Sequence, residues 1–111
     1  MNLFVYGELC CAETIVGLLG RMPICVPAVM RGYQREISQA TGYYEARPAA
    51  GQQIVGLLFG EVTAAETERL DEFEDVANGL YRRRECQVQL VGTGRREVAA
   101  QAYFAPIPRA S

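Results

Sequence analysis

The chain of 111 residues contains no His and no Trp, and all 11 of its bases are Arg, so Lys is absent as well. Each absence excludes chemistry. Without His there is no Ser-His-Asp or Cys-His couple and no His-ligated metal; without Lys there is no Schiff base and no phosphate-loop lysine. Acid-base work, if the chain does any, falls to a carboxylate, Tyr or Cys. The four cysteines, at 10, 11, 25 and 86, show no C-x-x-C spacing and read as small apolar or free thiols, and neither metal nor cofactor is expected. A basic face is missing too: the net charge is -2. This argues against general affinity for nucleic acid or an acidic membrane, and the clusters Arg82-Arg83-Arg84 and Arg95-Arg96 read as solvated strand positions. No signal-like leader and no uncharged run of membrane-spanning length is visible, so the expectation is a cytoplasmic protein. At this length one domain over 1–111 is expected, with an ordered core at about 2–105 and roughly two-thirds of the unfolded surface buried.

What is present is organised. Leu3-Phe4-Val5-Tyr6 carries large apolar side chains on both faces, as a strand in the middle of a sheet does, and Gly7 closes it. Ile15, Leu18, Leu19 and Met22 then fall on one helical face, with Gly20 and Pro23 as stops. Residues 25–30 are apolar and extended, with Pro27 tolerable only at an edge or bulge, and a further strand runs from Gly32 to about Ile37. From Ser38 to Gln53 no period is clear, which predicts a long surface loop with at most one short strand. Residues 54–62 predict the clearest strand, and Gly56 and Gly60 share a face that admits a close neighbour, backbone or ligand. Thr63-Ala64-Ala65-Glu66 matches a capping box, so a second helix starts at about Ala64, uses Leu70 and Phe73 as its apolar face, and ends near Asn78-Gly79. Tyr81 to Val91 alternates in period two; Gly92-Thr93-Gly94 turns it, Val98 to Phe104 returns, and Pro106 and Pro108 end the ordered region.

Two features bear on chemistry. With about 100° per residue and Leu70 as origin, Glu74 lies about 40° away and leans toward the buried side, whereas Glu72 lies about 200° away, in water. A carboxylate held against apolar surface, with Asp75 beside it, is expected to have a raised pKa, although a solvated helix-end carboxylate is the plainer reading. The turn at Gly7 offers backbone N–H groups suited to an anion, or simply a structural turn.

The ordered set Leu3-Phe4-Val5-Tyr6-Gly7-x-Leu9, Val55-x-Gly-x-Leu58-Phe59-x-x-Val62, Leu70-Asp71-Glu72-Phe73-Glu74, Tyr81-Arg82-Arg83 and Ala102-Tyr103 resembles the γ-glutamylcyclotransferase-like family. That family includes the avirulence-induced-gene group and the γ-glutamylamine cyclotransferases. The resemblance implies an α+β fold, a compact mixed β-barrel or strongly curved mixed sheet flanked by two main helices. It implies that Glu74 is the acid-base residue and that Tyr6, Gly7, Glu8, Leu9 and Tyr81 line the substrate pocket. The reaction implied is attack by the α-amine of a γ-glutamyl amine on its own γ-carbonyl, giving 5-oxoproline and a free amine. It needs one carboxylate and a set of donors, and no protein nucleophile. Two positions depart from the family: Glu8 stands where a small hydroxyl is usual, and Asp75 where Gly is usual. Glu8 keeps open a non-catalytic member that binds a small metabolite or a protein.

Overall fold

The computed structural model describes residues 1–92, 94 and 96–105. Its strands are β1 (Leu3–Val5), β2 (Cys25–Ile37), β3 (Tyr44–Phe59), β4 (Arg82–Leu90) and β5 (Glu97–Phe104); its helices are α1 (Ala12–Leu19) and α2 (Ala64–Phe73). The strands close into a barrel in the order β1-β3-β2-β4-β5. β1 runs antiparallel to β3 and parallel to β5, so the barrel is mixed.

The barrel explains why β1 is apolar on both faces. Phe4, followed by Tyr6, points inward with Ala28, Met30, Ile54, Leu58, Val88, Ala100, Ala102 and Phe104. Leu3 and Val5 point outward, where the turn at Glu8–Cys10, α1 and α2 cover them through Leu9, Ile15, Leu19 and Leu70. Full burial of one such Leu or Phe side chain is worth about 1.5–3 kcal/mol, so this three-residue strand anchors two cores. Five strands leave a narrow interior, and the alanines at 28, 100 and 102 keep it from overfilling. The glycine face of β3 has the same origin. A Cβ on Gly56 would lie 2.2 Å from the Val5 carbonyl oxygen and 2.9 Å from Phe4 Cζ, so the close neighbour there is β1 itself. Gly60 is less crowded, 4.0 Å from the Ile24 carbonyl.

The capping box at Thr63 forms as the sequence predicts: the Glu66 amide donates to Thr63 Oγ1 (3.1 Å) and the Thr63 amide to Glu66 Oε1 (3.0 Å). Arg21 adds a two-pronged bond to the Glu66 carboxylate, 2.7 Å on each side. Gly20, in the left-handed region at φ 76°, ends α1 as expected. Met22 lies past that stop and is exposed, so it does not join the helical face.

Several boundaries differ from the sequence expectation. Residues 25–37 form one strand, broken only by a bulge at Gly32 (φ 84°) where the register shifts between Arg31 and Tyr33. Pro27 sits just outside the β2–β4 pairing, which covers only Ala28 and Val29, so no ladder bond is lost. The expected loop at 38–53 is mostly strand: Tyr44 to Pro48 pair with Ile37 back to Tyr33, Gln53 pairs with Arg31 past the register shift that 49–52 span, and only residues 38–43 turn. This ribbon extends beyond the barrel and, apart from the buried Glu45 and Ala46, mostly faces solvent from Tyr44 to Gln53, which weakens the period-two signal. At its other end β3 stops at Phe59, before a left-handed Glu61 (φ 55°) turns the chain. α2 stops at Phe73, well short of Asn78, because Asp75 is left-handed (φ 55°) and a 3-10 turn at Val76–Asn78 follows, closed by Gly79. Phe73 is accordingly exposed at 38% and does not share the core with Leu70. Of the basic clusters, Arg82 and Arg84 are exposed, Arg84 lying over the Phe104 ring, but Arg83 is half-buried and paired with Asp71. Thr93, Arg95 and the prolines at 106 and 108 lie outside the described residues.

Candidate active site

A cavity of about 230 Å³ opens between β1, the turn after it, the tip of the β2–β3 ribbon and the C-terminal end of α2. Tyr6, Gly7, Glu8, Leu9, Glu74 and Tyr81 all line it. Local structure accounts for this convergence. After Val5 the chain leaves the barrel and makes a 3-10 turn at Glu8–Cys10, with the Cys10 amide donating to the Gly7 carbonyl (3.0 Å) and Cys11 to Glu8 (3.0 Å). The amides that open such a turn, here Glu8 and Leu9, have no partner inside it and are available to a ligand.

Glu74 caps α2, its amide bonded to the Leu70 carbonyl at 2.9 Å. The left-handed Asp75 then reverses the chain, and its carbonyl accepts from the Asn78 (3.2 Å) and Leu80 (3.1 Å) amides. That knot returns Tyr81 to the cavity that Glu74 already lines. A positive φ at 75 is where glycine is at ease; Asp tolerates it, with Asn78 Nδ2 donating to its carboxylate at 2.7 Å.

Burial pushes the Glu74 carboxyl up to about 7, and the charge of Glu8 adds to the shift. Its place at the negative end of α2 acts in the same direction. The second carboxylate at the site is therefore Glu8, not the adjacent Asp75 that the sequence suggested. Glu8 is exposed, at the cavity mouth, and pairs with no cation among the described residues.

The tyrosines are tied back to the scaffold. Tyr6 donates its hydroxyl to the Tyr103 carbonyl, and Tyr81 donates to the Tyr44 carbonyl at 2.5 Å. Burial pushes the Tyr81 hydroxyl up to about 12, with Glu74 contributing, and raises Tyr6 and Tyr103 as well, so all three stay neutral at ordinary pH. Tyr103 donates to Asp71 Oδ1 (2.6 Å), which Arg83 also holds (2.9 Å). Burial acts to raise Asp71, but its bonds from Arg83 and Tyr103 outweigh this and keep its carboxyl below the usual range. Asp71 thus fastens α2 to the barrel one turn before Glu74.

Sequence reasoning missed the ribbon's contribution. Gly42, Tyr43 and Tyr44 form one wall, with Arg35 fixing Tyr44 by stacking 4.2 Å from its ring centroid while donating to the Tyr6 carbonyl at 2.9 Å. The adjacent tyrosines in an aperiodic segment were the available signal, since a solvated loop has little use for two large rings. Phe73 and Leu80, flanking the predicted Glu74 and Tyr81, also line the cavity. Among the described residues no cluster of His, Cys, Asp and Glu is arranged to hold a metal, and no helix is long and apolar enough to cross a membrane.

The sequence profile of the family described as gamma-glutamyl cyclotransferase, AIG2-like, matches residues 3–110. A Methanocaldococcus jannaschii protein described as gamma-glutamylcyclotransferase and putative RNase is 32% identical over 95 residues, 86% of this chain and 42% of its own length. AIG2-like protein C of Arabidopsis thaliana is 35% identical over 86% of this chain and 54% of its own. The chain thus spans about half the length of these relatives. Among solved structures, an Arabidopsis thaliana protein studied in solution superimposes with a TM-score of 0.82 at 27% identity, covering 94% of this chain and 67% of the other. A structure described as gamma-glutamyl cyclotransferase superimposes at 0.83 over 96% of this chain and 66% of the other; at 17% identity it speaks to the fold alone. The match across the whole barrel and the cavity-lining segments leads to one conclusion: the chain belongs to the gamma-glutamyl cyclotransferase, AIG2-like family.

Proposed function

We propose that this chain, acting as one domain, cyclises a γ-glutamyl amine to 5-oxoproline and releases the amine, with Glu74 as general acid and base. The observation that carries the reading is the Glu74 carboxyl, half-buried in a cavity that the 7–10 turn also lines and pushed up by that burial to about 7. A group poised near neutrality can take a proton and return it with little penalty either way. The substrate brings its own nucleophile. Two protons leave the α-ammonium as the lactam C–N bond forms, and both end on the nitrogen of the breaking amide, which departs as an ammonium. Glu74 relays them. The amides of Glu8 and Leu9 are suited to the substrate carboxylate or the developing oxyanion, and the rings of Tyr6 and Tyr81 shape the pocket around the substrate chain.

The alternative, a member of the family that binds without turnover, draws on Glu8. Its strongest form requires Glu8 to fill the cavity or to be locked to an arginine inside it. Glu8 is instead exposed at the mouth and unpaired among the described residues, which favours catalysis.

The test is incubation with a panel of γ-glutamyl amines and detection of 5-oxoproline. Glu74→Gln is expected to lower kcat by about 10²–10⁴-fold, the usual worth of a positioned acid-base group. Full activity in that variant would remove Glu74 from the mechanism.

A further inference from the structure

The cavity is chemically one-sided. Two carboxylates, Glu8 and Glu74, line it, and among the described residues no Arg does. Seven of its fourteen lining residues are aromatic, and those rings offer negative faces. Arg35 stands behind the Tyr44 wall, held by the Tyr6 carbonyl and the Tyr44 ring, and does not line the cavity. A pocket so lined attracts organic cations and repels anions, except at the amides of the 7–10 turn.

Exposure orders the site from mouth to interior. Glu8, Tyr43 and Tyr44 line the cavity and are exposed, as residues at its mouth are, whereas Glu74 is half-buried deeper in. Glu8 also belongs to the turn whose amides suit a carboxylate. The α-ammonium of a γ-glutamyl group must give up its protons by way of Glu74 before it attacks, so an anion on the amides and a cation at the Glu8 side chain together fit a substrate with a further positive charge at its other end. A γ-glutamyl group supplies the carboxylate. The leaving amine, which must exit through the mouth, then supplies the cation.

We propose that this site selects γ-glutamyl conjugates of diamines, and that Glu8, with the tyrosine rings at the mouth, is the specificity-determining group that receives the free ammonium of the leaving amine. The inference rests on the cyclisation reading above. It gives a role to the residue that departs from the family pattern, since a hydroxyl at position 8 would provide no such charge. The reaction is unchanged: the lactam C–N bond forms, the amide C–N bond breaks, and the diamine leaves with both terminal nitrogens protonated.

Mono-γ-glutamyl-1,4-diaminobutane and γ-glutamyl-n-butylamine are nearly equal in length and differ by one positive charge. The expected result is a kcat/KM for the diamine conjugate about 10-fold or more above that for the butylamine conjugate at low salt, with the preference shrinking as salt screens the mouth. Glu8→Gln is expected to bring the ratio near one. Using a ratio of two substrates on the same enzyme cancels any change that this substitution makes to Glu74. Equal turnover of both conjugates by the natural chain would overturn the specificity proposal while leaving cyclisation intact. Should neither conjugate turn over, the cyclisation reading fails by itself, and calorimetric binding of the two conjugates decides the rest. Tighter binding of the diamine conjugate that is lost in Glu8→Gln supports the cation site, and equal binding overturns it.

Discussion

The raised pKa of Glu74 makes a prediction about folding that needs no substrate. An unfolded glutamate titrates near 4.5 and Glu74 in the folded chain near 7. Below 4.5 both states hold the proton and the residue has no effect on stability. Between 4.5 and 7 the unfolded carboxyl ionises while the folded one does not, so stability falls as pH rises. Above 7 the full penalty is present and constant. A shift of this size corresponds to about 3 kcal/mol, and solvent access through the cavity mouth reduces the expected value to about 1–3 kcal/mol. Glu74→Gln replaces the protonated acid by a neutral group of the same shape. The variant should therefore match the natural chain at pH 4 and exceed it by that margin at pH 8. Urea unfolding followed by far-ultraviolet circular dichroism at pH 4, 6 and 8 measures the difference, in which the unchanged carboxylates largely cancel. A difference that stays flat with pH, or grows toward acid, would refute the argument that burial holds the Glu74 proton.

Two further outcomes follow from the scaffold. The Glu66 carboxyl is pulled down to about 2, first by its bond from Arg21 and then by the Thr63 amide, so its contribution is present above pH 4.5 and fades as pH falls toward 2. Glu66→Gln is expected to cost about 1–2 kcal/mol at pH 7 and little at pH 2, measured by urea midpoints at the two pH values. Gly56→Ala would drive a methyl into the Val5 carbonyl at 2.2 Å, backbone that cannot yield without parting β1 from β3. The expected loss is about 3 kcal/mol or more, or failure to fold, read from thermal unfolding; a drop in Tm under about 2 °C would show that the barrel has slack there.

Legibility in the sequence tracked how locally each feature is determined. The Thr63 capping box and the Gly20 stop depend on a few consecutive residues, and both lie where the sequence places them. The double-sided Leu3–Tyr6 run announced a strand in the middle of a sheet, and the structure gives its two faces separate cores, the barrel interior and the helix layer. The β2–β3 ribbon was illegible because Tyr44 to Gln53 buries only Glu45 and Ala46, leaving its pattern to be set by cross-strand neighbours on β2. The same cause hid Tyr43 and Tyr44 as cavity residues. The lean of Glu74 toward the buried side was legible from helical geometry, although the same angle wrongly buried Phe73, and its place in a site was legible only through the family resemblance. The influence of Glu8 on it was not legible, since that interaction crosses the cavity between segments more than sixty residues apart.

The absence of histidine has a structural counterpart in α2. A side chain that exchanges protons near neutrality is ordinarily an imidazole; here burial confers that range on a carboxylate. Such a group opposes folding at neutral pH, so the element bearing it must be held by other means. At its first turn α2 is held by the capping box and the Arg21 pair with Glu66, in its middle by the fully buried Leu70, and near its end by Asp71 bonded to both Arg83 and Tyr103. Each of these contacts lies on the side of α2 facing α1 or the barrel. The cavity end, where Phe73 is exposed and Glu74 caps the helix, is left without a side-chain bond to Glu74 among the described residues. An arginine paired with Glu74 would stabilise the fold and at the same time return the carboxyl to its ordinary acidity, removing the proton exchange near pH 7. The polar contacts of α2 therefore stop one turn short of the residue whose proton the proposed chemistry needs.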